Sequence, residues 1–406
     1  INVFPSDSVK NIAKAKDLGA GDTLNLYAMW DPIWRFVYDG NGADAGSADS
    51  VNDQIIVNRE YNSFIAPNYS RIGYSFVGWS FSQDAATKLL NHQEVTIYGP
   101  NERLYLYDEK LAPFANSENR ITVYAVWLPV STTDTMQSFD RSKCNALSTN
   151  DILVLNDTRD NNTYAIATLA DGKCWMIENL RLDNTAEHNS DGILAQGYGT
   201  SATYGNFGGL ADPESANFYN NTTANSLYYS GTQSGDATIN IGTSNYPGYR
   251  MPRYNNFNTS ARGTNTTTSQ NIYSYGNYYN WYAATAGNGT YSTTSGNVTG
   301  DICPAGWSLP TGGSGGQFAA LNTAVNSGST SDSTGLRAYP TNLVYSGGWG
   351  GSSAYDRSYG GDYWSRTADD STSAYGLYFG SDGVHPDYGA NGKYNGFTAR
   401  CVQSES

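Results

Sequence analysis

Four cysteines constrain the fold of this 406-residue chain more than any other feature, because each bridge between two of them ties distant segments together. No two of them form a Cys-x-x-Cys motif, and the three histidines lie far from them in sequence. A zinc site needs closely spaced ligands, so disulfides are the favoured interpretation. Disulfides in turn indicate a protein that resides outside the cytoplasm. The four residues are Cys144, Cys174, Cys303 and Cys401.

The charge and hydropathy of the chain exclude several functional classes. A net charge of −14 leaves no basic patch to neutralise phosphates, which argues against a nucleic-acid partner and against attachment to anionic lipid. The sequence has no run of eighteen apolar residues, so no membrane span is expected. Charged residues make up only 15% of the chain, while 44 glycines and 33 tyrosines favour a loop-rich extracellular β protein. An aromatic content of 14% argues against disorder.

Residues 1–127 contain an internal repeat with the period of a β-strand. Leu24–Trp30 and Ile121–Trp127 both alternate apolar and polar residues before an aromatic end. Between them lie Trp34–Gly42 and Ser70–Trp79, two further aromatic segments. Together these segments resemble the Listeria–Bacteroides repeat, the B-repeat of internalins, which is a small β-grasp-like module strung in tandem as a stalk.

This resemblance divides the N-terminal part of the chain. It implies the tail of a preceding repeat over residues 1–30 and a complete β-grasp-like repeat over 31–127, with an insertion near 81–119 in which Lys88–Leu90 indicates a short helix. The alternative is an all-β domain of unknown use, although tandem modules are spacers in either case. Residues 128–139, with a proline and several Ser and Thr, are interpreted as a linker to a second unit with its own core.

Five short motifs follow in order along the rest of the chain, and the last one contains the final cysteine. They are Cys174-Trp-Met-Ile-Glu-Asn-Leu180, Tyr278-Tyr-Asn-Trp-Tyr-Ala-Ala284, Cys303-Pro-Ala-Gly-Trp-Ser-Leu-Pro-Thr311, Tyr363-Trp-Ser365 and Gly396-Phe-Thr-Ala-Arg-Cys-Val402. Together they resemble the Fibrobacter succinogenes major paralogous domain, a family among the C-type-lectin-like folds of bacterial surfaces. The resemblance implies a secreted, disulfide-closed binding module over residues 140–406 rather than an enzyme.

The expected fold is therefore mainly β with two short helices, a C-type-lectin-like head on a β-grasp-like repeat stalk. The pairs Cys144–Cys174 and Cys303–Cys401 are the natural choice. In the family, the cysteine of the Cys-Pro-x-Gly-Trp segment pairs with the one in the terminal Arg-Cys-Val. A bridge that closes 98 residues would stabilise the fold by about 4–5 kcal/mol on the loop-entropy model.

Residue patterns also predict local structure in the second unit. The apolar segments 151–155 and 163–168 flank a polar turn and predict a β-hairpin. Apolar residues at helical spacing predict a helix over Gln317–Asn326, and the resemblance places another at Tyr278–Ala286. Residues 186–272, which are rich in Asn, Thr, Ser and Gly, predict long surface loops, and strands with glycine-rich turns are expected from residue 343 onward.

No catalytic constellation is recognisable. A nucleophilic cysteine needs a nearby base, and all four cysteines are better explained as bridges. The sharpest enzyme alternative within this fold, an oxidase of the formylglycine-generating type, would need unpaired cysteines in the core. Asp157, Asp160 and Asn162 have the side chains of calcium ligands, but a hairpin turn rich in Asp and Asn is the commoner explanation. The sequence predicts no enzyme, metal site or cofactor.

Candidate binding residues are concentrated between residues 373 and 396. Leu377, Phe379 and Val384 have the apolar side chains that a sheet core requires, and strand alternation places Gly376, Tyr378 and Gly380 on the opposite face. The segment from residue 385 to 390 is expected to continue into a turn. Tyrosine is suited to adaptable recognition, because it is large, amphipathic and loses little entropy when ordered.

Trp349, a tryptophan flanked by glycines, precedes this segment and is expected to be an exposed contact anchor. The alternative is that it folds back under its loop as a plug. The full set of candidate ligand-binding residues combines the preceding loops with the C-terminal strands: Tyr345, Trp349, Tyr355, Asp356, Gly376, Tyr378, Gly380, Asp382, His385, Asp387 and Tyr388.

This mixture of exposed residues resembles the variable region of proteins that diversity-generating, adenine-directed retroelements diversify. The alternative is that these are ordinary polar residues on a solvent-facing sheet. We therefore expect a secreted adhesin or receptor-binding protein of the bacterial cell surface, whose partner is a protein or glycan on another cell. A structural role, in which heads self-associate in a surface layer or filament, is the alternative from a different class.

Overall fold

The computed structural model describes residues 33–46, 54–57, 60–65, 69–99, 103–159, 161–181, 238–241, 244–247, 276, 278–279, 281–285, 293–350, 353–356, 359–393 and 395–404. Over these residues the protein is mainly β, with mixed sheets and short helices between the strands. The first elements are β1 (Trp34–Asp39), β2 (Ala45–Gly46), β3 (Gln54–Ile56), β4 (Glu60–Ser63), β5 (Tyr69–Ser70), β6 (Tyr74–Ser80), α1 (Ala85–Leu90), β7 (Arg103–Leu106), α2 (Asp108–Leu111), a 3-10 turn (Ala112–Phe114) and β8 (Arg120–Thr135).

The elements after β8 form the second unit. In chain order they are α3 (Arg141–Asn145), β9 (Ile152–Asn156), β10 (Thr163–Thr168), β11 (Cys174–Met176), β12 (Thr238–Ile241), β13 (Ser244–Pro247), β14 (Tyr278–Tyr279), α4 (Trp281–Ala284), β15 (Gly296–Asn297), β16 (Trp307–Ser308), α5 (Gln317–Asn326), α6 (Thr334–Arg337), β17 (Gly348–Gly350), β18 (Ser353–Tyr355), β19 (Gly361–Ala368), β20 (Ser373–Gly380), β21 (Gly383–Gly392), β22 (Phe397–Thr398) and β23 (Val402–Gln403).

Strand β8 organises the largest sheet, whose nine strands run in the order β16-β23-β11-β10-β9-β8-β1-β3, with β6 also paired to β8. The first part of β8 runs parallel to β1 and antiparallel to β6, both in the N-terminal unit. Its last part runs parallel to β9, where Val130 lies opposite Val154 and Thr135 lies opposite Asn156. One sheet therefore spans both units.

The segment 128–139, interpreted from sequence as a linker, is thus regular strand as far as Thr135. Its proline and its Ser and Thr residues resemble a spacer locally, but Pro129 lies opposite Tyr74 of β6, and Val130 and Thr135 pair with β9 on either side of a register shift. The two units are joined by a shared strand and not by a flexible tether.

The two units also share a hydrophobic core, which contradicts the expectation of separate cores. Val126 and Leu128 of β8 pack in one buried cluster with Ile152, Val154 and Trp175 of the second unit. Two polar contacts cross the same boundary: the hydroxyls of Ser75 and Thr163 lie 2.9 Å apart, and His92 Nε2 lies 2.7 Å from Asp151 Oδ1. A second cluster, rich in aromatic residues and centred on Trp79, fills the outer part of the N-terminal unit.

Both expected disulfides are present, Cys144–Cys174 and Cys303–Cys401. All four half-cystines are buried in a third core cluster with Trp281, Trp307 and Trp364. The second bridge holds β23 between β16 and β11 near one end of the large sheet. Segments separated by 98 residues in sequence therefore meet in one core.

Most of the local predictions for the second unit are confirmed. Strands β9 and β10 form the predicted hairpin, and α5 begins and ends at the predicted residues, Gln317 and Asn326. Helix α4 covers only part of the predicted Tyr278–Ala286, because Tyr278 and Tyr279 pair with β22 as a strand. The described residues also contain more short helices than the two expected, among them α1, which includes the predicted Lys88–Leu90.

Two predictions fall mainly outside the described residues. Residues 1–30, the expected tail of a preceding repeat, lie wholly outside them. Of the predicted loop region 186–272, only 238–241 and 244–247 are described, and these pair as the antiparallel strands β12 and β13.

The shared core predicts that Leu128→Ala destabilises both units. Leu128 is 1% exposed, and truncation of a buried leucine costs about 2–5 kcal/mol. Hydrogen exchange followed by mass spectrometry should show faster exchange in β6 of the first unit and in β10 of the second. The matched control, Leu106→Ala, removes an equally buried leucine from the core of the N-terminal unit alone. Unchanged exchange in β10 of the Leu128→Ala variant would show that the units are energetically separate.

Candidate functional site: an aromatic and acidic sheet face

The candidate residues lie on a six-stranded sheet with the order β14-β22-β19-β20-β21, in which β15 also pairs with β19. Side chains alternate between its two faces. Tyr363, Leu377 and Phe379 point into the core shared with the N-terminal unit. On the other face, Asp362 of β19 lies opposite Tyr378 of β20, and Tyr378 lies opposite His385 of β21. The predicted division between Leu377 and Phe379 on one side and Tyr378 on the other is confirmed.

Three rings cluster on this second face. Tyr378 stacks on His385 with ring centroids 5.9 Å apart, and Tyr388 lies 5.8 Å from each of these two rings. Tyr388 is 46% exposed, His385 is exposed and Tyr378 is half-buried. The cluster is an accessible aromatic surface whose rings support one another on a rigid sheet.

The cluster depends on a β-hairpin that the sequence analysis placed differently. Residues 385–390 were expected to form a turn, but they belong to β21, and the turn is Ser381–Asp382. Glycines on each side of this turn, Gly380 and Gly383, pair directly, and Gly383 has a positive φ of 142°. Pro386 fits in β21 because this strand is at the edge of the sheet, where a missing N–H costs no ladder bond.

Carboxylates surround the rings. The Tyr378 hydroxyl donates to Asp382 Oδ1 at 2.6 Å, and burial together with this bond raises the pKa of Tyr378. Asp356 is exposed at a positive φ of 48°, and its backbone carbonyl accepts from the N–H groups of Tyr359 and Gly360. Asp356 and Asp382 are both close enough to Tyr378 to contribute to its raised pKa.

Asp362 lies beneath these residues and is absent from the sequence-based set. Its side chain is 4% exposed, and its Oδ2 has no hydrogen-bond partner among the described residues. Burial, reinforced by the negative charges of Asp356 and Asp382, raises the pKa of Asp362 to about 7. At neutral pH this carboxyl is therefore about half protonated.

Two glycines leave the space that these side chains occupy. A Cβ on Gly348 would lie 2.5 Å from the Tyr355 hydroxyl and 3.1 Å from Asp362 Oδ2. A Cβ on Gly380 would lie 2.5 Å from the Tyr378 hydroxyl. We use "aromatic–acidic face" for the resulting set, which is Tyr355, Asp356, Asp362, Tyr378, Asp382, His385 and Tyr388.

The remaining predicted residues are distributed differently. Tyr345 lies on the opposite side of the sheet, where its ring packs 5.5 Å from that of Phe379 and under the Arg337 guanidinium. Asp387 is exposed, and its charge acts on Tyr375, whose pKa is raised first by its hydrogen bond to Asp369. Gly376 is buried between neighbouring strands, where a Cβ would come within 2.6 Å of the Tyr363 carbonyl oxygen. For Trp349, only the backbone is described, in β17 opposite Ala354.

Metal and membrane sites were sought across the described part of the chain. No group of three or more His, Cys, Asp or Glu side chains there is arranged to hold a metal ion, and no helix there is long and apolar enough to cross a bilayer. Asp157, considered as a calcium ligand, is instead fully buried in an ion pair with Arg159, with Oδ2 and Nη2 2.6 Å apart.

In comparisons with known proteins, no family model, no curated protein and no solved structure matches the chain.

The raised pKa of Asp362 predicts that Asp362→Asn increases stability at pH 8. The unfolded carboxyl titrates near 3.8 and the folded one near 7, so the folded state holds the extra proton between these values. Below pH 4 the carboxyl is protonated in both the folded and the unfolded state, and its contribution to the free energy of unfolding is at its maximum. As the pH rises to 7 the unfolded state loses the proton first, and this contribution falls by about 4 kcal/mol. In urea unfolding, the variant should have the higher free energy of unfolding at pH 8, and the values for parent and variant should converge at pH 4.

Two comparisons make this result specific to Asp362. Asp301 is also buried, and burial raises its pKa to about 6, so only the difference between parent and variant isolates Asp362. Glu94→Gln removes one charge from an exposed position in the N-terminal unit and should leave the pH profile unchanged. A parent and an Asp362→Asn variant with parallel profiles would contradict the assignment.

Proposed function

We propose that the protein is a secreted adhesin or receptor-binding protein of the bacterial cell surface, and that the aromatic–acidic face contacts a protein or glycan on another cell. The observation that carries the proposal is the accessible ring cluster of Tyr378, His385 and Tyr388, which the sheet holds in place before any partner arrives. Tyrosine-rich surfaces are favoured in recognition because their rings bury much area for little lost entropy.

Three further features support a binding role over a catalytic one. Both pairs of cysteines are bridged, so within these residues the thiols that an oxidase would need are absent. The bridges also suit a protein outside the cytoplasm. Two of the described buried acids lie in structural settings: Asp157 pairs with Arg159, and Asp301 accepts from the backbone N–H groups of Cys303 and Leu309.

At the level of fold, we propose a C-type-lectin-like head joined to a β-grasp-like module. The head proposal is supported by a C-terminal strand, β23, that pairs inside the sheet and is bridged to the Cys303 segment, with motif residues such as Trp175 and Trp364 in the buried cores. The module proposal is supported by a mixed sheet in which β1 and β8 run parallel, with the short helix α1 following β6.

A structural role by self-association is the second candidate. It is favoured by exposed apolar side chains on the N-terminal unit, where Ile55 of β3 is 56% exposed and Ile72 is 86% exposed. Strand β3 is the edge of the nine-stranded sheet in the described residues. Exposed apolar edges favour contact with another chain. The two roles are compatible, because these residues belong to a different unit from the aromatic–acidic face.

The proposal predicts that Tyr378→Ala combined with Tyr388→Ala abolishes adhesion without unfolding the protein. Loss of two ring anchors of about 2 kcal/mol each, taken as additive, should weaken binding about 1,000-fold. Beads coated with each variant would be counted on a panel of bacterial and host cells.

Two controls accompany this experiment. Tyr105→Ala removes a comparably exposed tyrosine, 44% accessible, from the N-terminal unit and should adhere like the parent. Phe379→Ala, on the buried side of the same strand, should instead lower stability by about 3–5 kcal/mol. This face would lose its support as a binding site if the double variant adhered like the parent. The same would follow if the parent adhered to no cell of the panel.

We further propose that the aromatic–acidic face is diversified by an adenine-directed mechanism. All codons for Tyr, Asp and His carry adenine at the second position, whereas those for the opposite-facing Leu377, Phe379 and Val384 do not. Glycine codons also lack adenine at their first two positions, and Gly376 has no room for a side chain. Leu377, Phe379, Val384 and Gly376 thus differ from the exposed residues of β20 and β21 in codon as well as in position.

This idea predicts the pattern of substitutions among sibling isolates. Sequencing the same locus should find changes at Tyr378, Asp382, His385 and Tyr388, with an unchanged Gly376 and an unchanged opposite face. A segment that is identical in all isolates, or changes spread equally over both faces, would contradict diversification and favour the structural role.

A further inference from the structure

The negative charge of the aromatic–acidic face is not neutralised within the described residues. The negative charges of Asp356 and Asp382 lie close enough to Asp362 to raise the pKa of its carboxyl. None of the three forms an ion pair with a described residue, whereas other acids, such as Asp84, Asp134 and Asp157, do. Like charges held together without a counter-ion destabilise a protein, and a bound cation relieves their repulsion.

Asp362 gives an independent indication of a ligand. Its buried Oδ2 lacks a donor among the described residues, although buried polar atoms are normally hydrogen-bonded. This oxygen lies towards Gly348, on the same side of the sheet as Tyr378. The carboxyl is therefore an unsatisfied acceptor in the strand next to Tyr378, close enough for its charge to act on that ring's hydroxyl.

The rings have the chemistry to hold a cation above these acids. Tyrosine faces attract ammonium and guanidinium groups within about 6 Å of the ring centroid. Within this protein, Arg71 lies over the Tyr74 ring at 3.9 Å and Arg337 over the Tyr345 ring at 4.1 Å. Tyr378 offers the same kind of surface with carboxylates around it, and the Tyr388 ring packs beside it.

We propose that the aromatic–acidic face binds a cationic side chain, arginine above all, presented by a protein on the surface of the partner cell. The inference rests on the proposed function and narrows its partner from protein or glycan to a protein. A guanidinium group stacks on an aromatic ring and donates five hydrogen bonds in its plane, so one side chain satisfies both the rings and the carboxylates. A neutral sugar stacks on the rings equally well but leaves the acids uncompensated.

The direct test is calorimetric titration of the full chain with an acetylated tri-arginine amide and with the matching tri-citrulline peptide. Citrulline keeps the size and planarity of arginine and lacks its charge. The arginine peptide should bind at least about tenfold more tightly, and this difference should fall as salt is added. A neutral glucose trisaccharide is the third probe. Equal binding of the two peptides, or binding of the trisaccharide alone, would overturn the proposal.

Matched variants locate the effect on the face. Asp356→Asn with Asp382→Asn should weaken arginine-peptide binding about tenfold or more, whereas Glu94→Gln should not change it. Both substitutions suit their sites: asparagine tolerates the positive φ of residue 356, and it can still accept the hydrogen bond from Tyr378. Unchanged affinity of the double variant would show that the cation binds elsewhere.

Proton release gives a readout specific to Asp362. A cation above this carboxyl favours its ionised form, so binding at pH 7 should release protons in the parent and fewer in Asp362→Asn. The release is measured by repeating the titration in buffers with different ionisation enthalpies. Histidine also exchanges protons near this pH, so both proteins are compared in a His385→Gln background. Equal release from the two would contradict the role of Asp362.

The titratable groups of the face are Tyr355, Asp356, Asp362, Tyr378, Asp382, His385 and Tyr388.

The outcomes separate this inference from the proposed function. Loss of cell adhesion in the double tyrosine variant, combined with equal binding of both peptides, would leave a binding face whose partner is not cationic. Parent-like adhesion of that variant, combined with tight binding of the arginine peptide, would leave a cation site that adhesion does not use.

Discussion

The buried guanidinium group of Arg400 is the interaction on which the second unit depends. It is 1% exposed and bonds to groups from two distant segments. Nε and Nη2 donate to Asn179 Oδ1 at 2.9 and 2.6 Å, while Nη1 and Nη2 donate to the carbonyls of Met176, Thr341 and Asn342. Burial lowers the pKa of Arg400, because its charge is surrounded by amide and carbonyl oxygens and not by water.

This arrangement explains why short motifs far apart in sequence occur together. Asn179 and Met176 belong to the first motif, Arg400 belongs to the last, and the Tyr363 ring of the fourth lies 5.8 Å from the guanidinium carbon. A shorter or uncharged residue at position 400 would leave several carbonyls and an amide without donors, each in a buried site. Three of the five motifs therefore supply residues around one buried cation.

The sequence predicted those parts of the structure that local patterns determine. Helix α5 and the β9–β10 hairpin follow from periodicity and turn-forming residues, which act over a few positions. The course of residues 128–135 could not be predicted, because pairing with β9 decides it and the residues themselves resemble a spacer. Within the candidate site, strand alternation predicted the face of Tyr378 correctly. The pairing of β21 with β20 could not be obtained by counting residues from the turn, because the register shifts between Gly376 and Tyr378. Asp362 was missed because a charged residue in a strand normally indicates a solvent-facing position.

Strand β8 also decides how the protein carries mechanical tension. The adhesin role proposed above would load the backbone in tension, and a pair of parallel strands loaded along their length resists by shearing several hydrogen bonds at once. β8 is held in this way by β1 on one side of the unit boundary and by β9 on the other. Tension that enters through one unit therefore reaches the other along a single continuous strand, without a hinge that could stretch first.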